Sequence, residues 1–239
     1  QLQGAVSGIS ALGIQGVNVT RPHKETIIPY LSRLTRNAQK VGAVNTVEVV
    51  RNQLVGHNTD GEGFLQSLQE AKVDPAGYHV ILLGAGGATR AVAVSLLQKK
   101  IATLTIMARS SGRGNALVND LSLLSSHKIK ITLHPFESKP VFLNEPVLLI
   151  NTTPLGMKAG DPLPYSPTAF GPLWVAADLI YTPYKTPLLL AAEKMGLKIV
   201  PGLGMLLYQA ALAFEIWTKQ KAPIGVMKKA LQKALQDKK

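Results

Sequence analysis

The chain has 239 residues, 46% hydrophobic and 17% charged, a balance that supports a sizeable core and excludes intrinsic disorder. It has no cysteine, which excludes disulfides, thiolate zinc sites and a cysteine nucleophile. The net charge of +12 suits anionic small molecules; the basic residues are scattered except near the C-terminal end, so no nucleic-acid stripe is expected.

The predicted elements begin short. Residues 5–12 read as the end of a helix, 16–19 as a strand and 23–34 as a helix opened by Pro22. Residues 44–50 and 54–57 read as a hairpin about Arg51-Asn52-Gln53. Residues 61–71 read as a helix that Asp60 is placed to cap. Asp74-Pro75-Ala76-Gly77 is turn chemistry and marks a domain boundary. Strands and helices alternate beyond it: strand 78–84, helix 87–99, strand 102–108, helix 113–125, strands 128–133 and 146–151, strand 173–179, helix 186–195 and strand 197–200. These strands are continuously apolar, as strands buried on both faces should be, which predicts a parallel, doubly wound α/β sheet. The connection 152–172 is long and rich in Pro and Gly, a functional loop by its length. Helices near 203–219 and 225–237 end the chain. The second carries Met227, Leu231 and Leu235 on one side, and its lysines read as a solvated face.

Three strings carry chemistry. Gly84-Ala85-Gly86-Gly87-Ala88-Thr89-Arg90 follows an apolar strand and opens a helix. Its glycines permit a tight turn and close approach to a pyrophosphate, which the helix N-terminus attracts. Thr89 stands where the usual fingerprint has its third glycine. The next strand ends at Met107-Ala108-Arg109-Ser110-Ser111-Gly112-Arg113, with no carboxylate for a ribose 2′-OH. Arg109 and Arg113, with Ser110 and Ser111, offer a cationic, donor-rich pocket for a 2′-phosphate, which predicts NADP. Asn151-Thr152-Thr153-Pro154-Leu155-Gly156-Met157 starts at a strand's carboxyl end, where ligands sit in such sheets. Taken alone, Lys24 reads as a surface lysine, Asp60 as a helix cap and Met205 as a core residue. His23, His57, His79, His127 and His134 are not paired at metal-ligand spacing, so no metal is expected.

Read in order, Thr20-x-Pro22-x-Lys24, Gly42-Ala43-Val44-Asn45-Thr46, Asn58-Thr59-Asp60-Gly61, the Asn151–Met157 string and Gly202-x-Gly204-Met205-x-x-x-Gln209 resemble shikimate dehydrogenase over about residues 12–217. The resemblance implies two domains: a Rossmann-like NADP-binding domain at 72–205, and an α/β substrate domain at 1–71 with helices of 206–239 packed back on it. The N-terminal part of the substrate domain is read as truncated, with the family's opening strand and its Ser-x-Ser lying before position 1.

The resemblance further implies NADPH-dependent, reversible reduction of 3-dehydroshikimate to shikimate in aromatic amino acid (chorismate) biosynthesis. Lys24 and Asp60 are then the catalytic pair, with Thr20, Asn45, Tyr181 and Gln209 completing the substrate site. The implied cofactor set is Gly84, Ala85, Gly86, Gly87, Ala88, Ala108, Arg109, Ser110, Arg113, Asn151, Thr152, Thr153, Leu179, Gly202 and Met205. Two positions depart from the family: Ala108 replaces the asparagine before Arg109, and Arg36 replaces an acidic residue. The rival readings are a quinate/shikimate or aminoshikimate dehydrogenase relative and a truncated, non-catalytic NADP-binding module. With no membrane-length apolar stretch and no signal peptide at its start, the chain reads as soluble and cytoplasmic. The expected partner is a small molecule, not nucleic acid or a membrane; a homodimer is compatible.

Overall fold

The computed structural model describes residues 1–125, 129–138 and 144–236. Its first elements are α1 (Leu2–Ala11), β1 (Gly16–Asn18) and α2 (His23–Thr26). The helix expected over 23–34 does not form as one element. α2 is a single turn; a 3-10 turn follows at Ile28–Tyr30, and then β2 (Arg33–Leu34). Pro29 has no N–H to donate and disfavours a helical residue before it. The Ser32 and Thr35 N–H groups instead donate to the Leu54 and Gly56 carbonyls, drawing the segment into a sheet.

α3 (Arg36–Val41) was not expected. Thr35 caps it by accepting the Ala38 N–H at 3.4 Å, and Gly42 ends it at φ +66°. Six residues are too few for a helical period to stand out. β3 (Thr46–Val50) and β4 (Gln53–His57) form the expected hairpin. Arg51 and Asn52 both take positive φ, so the turn is the two-residue type whose twist matches its strands. The first sheet runs β1-β3-β4-β2, antiparallel except for the β2–β4 pair.

α4 (Asp60–Glu70) starts one residue earlier than expected, and Asp60 is its first residue, not its cap. The cap position is Thr59, and the Asp60 N–H is taken by Asn58 Oδ1 at 3.1 Å. The Asp60 carboxylate is thereby free for other partners.

The second sheet contains β5 (His79–Leu83), β6 (Thr103–Ala108), β7 (Lys130–Pro135), β8 (Val147–Asn151), β9 (Trp174–Asp178) and β10 (Lys198–Val200). All six are parallel, in the order β10-β9-β8-β5-β6-β7. The chain steps outward from β5 to β7, then returns to lay β8 on the other side of β5. A crevice therefore opens between the β5 and β8 ends. β5 and β8 are central, and Ile81, Leu82, Leu83, Leu148, Leu149 and Ile150 are fully buried, which explains their unbroken apolar run.

α5 (Gly87–Leu96), α6 (Ser111–Leu124) and α7 (Pro187–Lys194) link these strands. α6 starts two residues before its expected position because Ser110 caps it, accepting the Arg113 N–H at 3.4 Å. β7 lies two residues later than expected, and residue 128 of that expectation lies outside the described residues. α8 (Leu203–Thr218) and α9 (Ile224–Gln236) follow; residue 237 lies outside the described residues.

α4 joins the two halves by close backbone packing. A Cβ on Gly61 would lie 2.3 Å from the Ala91 carbonyl of α5, and one on Gly63 would lie 2.6 Å from the Gln209 nitrogen of α8. Among the described residues, no helix is long and apolar enough to cross a membrane.

His57 on β4 lies 3.0 Å from Glu48 on β3, and Lys219 pairs with the other Glu48 oxygen. Burial outweighs the nearby carboxylate and holds the imidazole below its usual pKa of 6.5. The unfolded chain therefore takes up this proton more readily than the folded one, and stability is lost as pH falls below about 6.5. The melting temperature of His57→Gln is expected to fall less than that of the parent between about pH 7.5 and pH 5.5. An equal fall would assign the acid sensitivity to other groups.

Candidate active site

Backbone bonds bring α2 and the start of α4 together. The Val44 N–H donates to the Lys24 carbonyl at 2.7 Å. Asn58 Nδ2 donates to the Ala43 carbonyl at 3.0 Å, and Asn37 Nδ2 to the Asn58 carbonyl at 2.8 Å. These bonds fix the Asn58-Thr59-Asp60 corner beside α2.

Lys24 Nζ then lies 2.7 Å from Asp60 Oδ2. The Lys24 side chain is 26% exposed and that of Asp60 8%, so the ammonium faces the open side and the carboxylate anchors it from within. Asp60 Oδ1 accepts from Asn45 Nδ2 at 2.9 Å, and the same Nδ2 lies 3.2 Å from Gln209 Oε1 on α8. Asn45 Oδ1 accepts from the Thr59 N–H at 2.9 Å, which fixes the orientation of its amide. Thr59 Oγ1 donates to the Gln209 carbonyl at 3.0 Å.

Lys24, Asp60, Asn45 and Gln209, expected together, thus form one network. Thr20 and Tyr181 are both exposed, at the entrance to α2 and beyond β9, and neither hydrogen-bonds to it. A partly exposed ammonium held by a buried carboxylate can polarise a carbonyl and donate a proton to its oxygen.

The glycine turn leaves β5 at Gly84, whose φ of +115° is closed to ordinary side chains. A Cβ there would also stand 2.9 Å from Thr152 Oγ1. Thr89, the departure from the glycine fingerprint, is fully buried. The Gly86 N–H donates to Thr89 Oγ1 at 3.1 Å, Thr89 and Thr152 hydroxyls lie 2.7 Å apart, and Thr152 Oγ1 donates to the Leu83 carbonyl at 2.6 Å. Thr152 has one proton and gives it to Leu83, so Thr89 donates to Thr152. This directed chain ties the turn to the end of β8, a role a glycine could not fill.

The open space beside Gly86 and the helix N–H groups at Gly87 and Ala88 fit a pyrophosphate. Ala85 packs against the core next to them. At the end of β6, Ala108 is buried while Arg109, Ser110 and Arg113 are exposed. Cationic donors there suit a 2′-phosphate, so the residues present fit NADP. Glu25, next to Lys24, lies 3.6 Å from where a Cβ on Gly87 would stand. The Lys24 helix and the glycine turn therefore lie beside each other.

Leu179, Gly202 and Met205 meet where β9 ends and α8 begins. A Cβ on Gly202 would lie 2.5 Å from the Leu179 carbonyl, and Leu179 and Met205 both pack against the core. Met205 thus also fits its core reading.

Asn151 is fully buried. Its Oδ1 accepts from the Thr153 N–H and hydroxyl at 3.0 and 2.7 Å; its Nδ2 donates to the Leu155 carbonyl and to Asp178 Oδ2, both at 3.0 Å. Asp178 escaped the sequence reading, although a carboxylate ending an apolar strand was its signal. Burial pushes its pKa up to about 6, against the pull of bonds from Asn151, the Ile180 N–H and Thr186. A concavity lined by Ser67, Glu70, Tyr184 and Lys228 lies at the other end of α4 from Asp60, apart from this site. No three His, Asp or Glu side chains gather to hold a metal among the described residues, which do not include His127.

A dinucleotide crevice facing an ammonium–carboxylate pair defines the class: an α/β dehydrogenase of two sheets. Residues 1–47 match the model of the shikimate dehydrogenase substrate binding domain, and residues 202–232 that of the shikimate 5′-dehydrogenase C-terminal domain. The chain is 42% identical over 234 residues to shikimate dehydrogenase (NADP(+)) of Desulfitobacterium hafniense, covering 98% of this chain and 84% of that protein. It is similar to the Listeria monocytogenes shikimate 5-dehydrogenase crystallised with shikimate and NAD, at a TM-score of 0.88 and 35% identity, covering 96% of this chain and 82% of that one. The Thermus thermophilus enzyme in complex with NADP(H) and shikimate matches at a TM-score of 0.86 and 34% identity, covering 98% and 84%. The chain belongs to the shikimate dehydrogenase family.

Proposed function

We infer that the chain catalyses the reversible, NADPH-dependent reduction of 3-dehydroshikimate to shikimate, an oxidoreductase step of aromatic amino acid biosynthesis by way of chorismate. The observation that carries this is the 2.7 Å Lys24–Asp60 pair, set beside the glycine turn in a chain of this family. Bound NADPH supplies the hydride. Lys24 donates its proton to the oxygen of the reduced carbonyl, and Asp60 holds the ammonium in place. Asn45 and Gln209 offer both donors and acceptors to the other hydroxyls, with Thr20 and Tyr181 closing the exposed side.

Residues 72–205 hold the cofactor, and 1–71 with the helices of 206–239 hold the substrate. Gly84–Ala88 would hold the pyrophosphate, and Arg109, Ser110 and Arg113 at the end of β6 the 2′-phosphate. Asn151, Thr152, Thr153, Leu179, Gly202 and Met205 would hold the nicotinamide. The reading places the enzyme in the cytoplasm and allows a homodimer.

The test is turnover of shikimate and of quinate, each with NADP and with NAD. The highest catalytic efficiency is expected for shikimate with NADP. A higher efficiency for quinate would move the chain to the quinate branch, and folded protein without turnover would leave an NADP-binding module.

A further inference from the structure

Two loops face the proposed nicotinamide position, one leaving β8 and one leaving β9, and a single buried carboxylate fastens both. Asp178 is 1% exposed at the last position of β9. Its Oδ2 accepts from Asn151 Nδ2 at 3.0 Å and from Thr186 Oγ1 at 2.7 Å; its Oδ1 accepts from the Ile180 N–H at 2.9 Å. Asn151 shapes the first loop through Thr153 and Leu155. Ile180 and Thr186 bracket the second, which contains Tyr181. The loops also touch directly: a Cβ on Gly156 would stand 3.4 Å from Thr186 Cβ.

We propose that Asp178 is a positioning residue for hydride transfer, setting the nicotinamide wall by orienting the Asn151 amide and closing the 179–186 loop onto it. The proposal rests on reading the chain as an NADP-dependent dehydrogenase. Asp178 touches neither the Lys24–Asp60 network nor the arginines at the end of β6. Its effect should therefore fall first on the geometry of transfer, reach the substrate only through Tyr181 at the exposed side of the site, and leave 2′-phosphate binding alone.

The carboxylate cannot be replaced by its amide without conflict. In Asp178→Asn, one orientation points an NH2 group at the Asn151 NH2, and the other points it at the Ile180 N–H. Either way a donor faces a donor, and one loop must move. Displacement of a reacting group by about an ångström costs on the order of 10²-fold in rate. Asp178→Asn is expected to lower kcat about 10- to 100-fold, with the shikimate KM and NADP Kd changed less than about threefold. The primary isotope effect from shikimate deuterated at the carbon that is oxidised should rise, because hydride transfer becomes more fully rate-limiting.

Retained kcat in Asp178→Asn would overturn the proposal. So would loss of NADP binding in step with kcat at an unchanged isotope effect, which marks a merely structural role. If Asp178→Asn does not fold, Thr186→Val removes one donor and leaves the carboxylate; the same kcat-selective loss is expected, and unchanged kcat overturns the proposal. Turnover of the unsubstituted enzyme with shikimate and NADP tests the underlying reading separately.

Discussion

Replacing Lys24 by alanine is expected to lower kcat for 3-dehydroshikimate reduction by about 10²- to 10⁴-fold, the usual loss when a positioned acid/base group is removed. The ammonium 2.7 Å from Asp60 is the proton source in the inferred mechanism, and water in its place would be neither held nor oriented. The KM should change much less, because Asn45 and Gln209 stay in place. Asp60 Oδ2 loses its cation, but Oδ1 keeps the Asn45 donor at 2.9 Å, so the corner should persist. Steady-state kinetics with a melting curve of the same sample checks both expectations. Unaltered kcat would reduce Lys24 to a binding residue.

The double substitution Arg109→Ala, Arg113→Ala is expected to erase a preference for NADP over NAD. A 2′-phosphate takes charge-assisted bonds from guanidinium groups, each worth about 1.5–3 kcal/mol. NAD leaves those groups solvated. Since about 1.4 kcal/mol is a factor of ten, the parent should prefer NADP by about tenfold or more. The variant should lose NADP efficiency and barely change with NAD. The decisive quantity is the ratio of kcat/KM for the two cofactors before and after the change. A ratio that does not move would show that this loop does not read the phosphate.

The parallel sheet was legible because strands buried on both faces must be apolar throughout, and Ile81–Leu83 and Leu148–Ile150 are. The crevice was legible because tight turns at strand ends demand glycine. Two kinds of feature were not. The segment after Lys24 has the composition of a helix, and only non-local pairing with β4 pulls Arg33 and Leu34 into a strand. Taken alone, Asp60 reads as a cap, and only the family resemblance pairs it with Lys24; in the fold Asn58 takes the Asp60 N–H and leaves its carboxylate to Lys24. Asp178 was hidden for the same reason: its partners Asn151 and Thr186 are 27 and 8 residues away. Thr89 breaks a motif in one dimension and completes a hydrogen-bond chain in three.

The glycines of α4 have a mechanical consequence. A Cβ at either Gly61 or Gly63 would collide with a neighbouring backbone, so the seating of α4 between α5 and α8 depends on two absent side chains. Asp60 is the residue beside the first of them. The carboxylate that anchors Lys24 therefore inherits its place from a contact made entirely by its neighbour: a side chain at position 61 would push the head of α4, and the ammonium's anchor with it, away from α5.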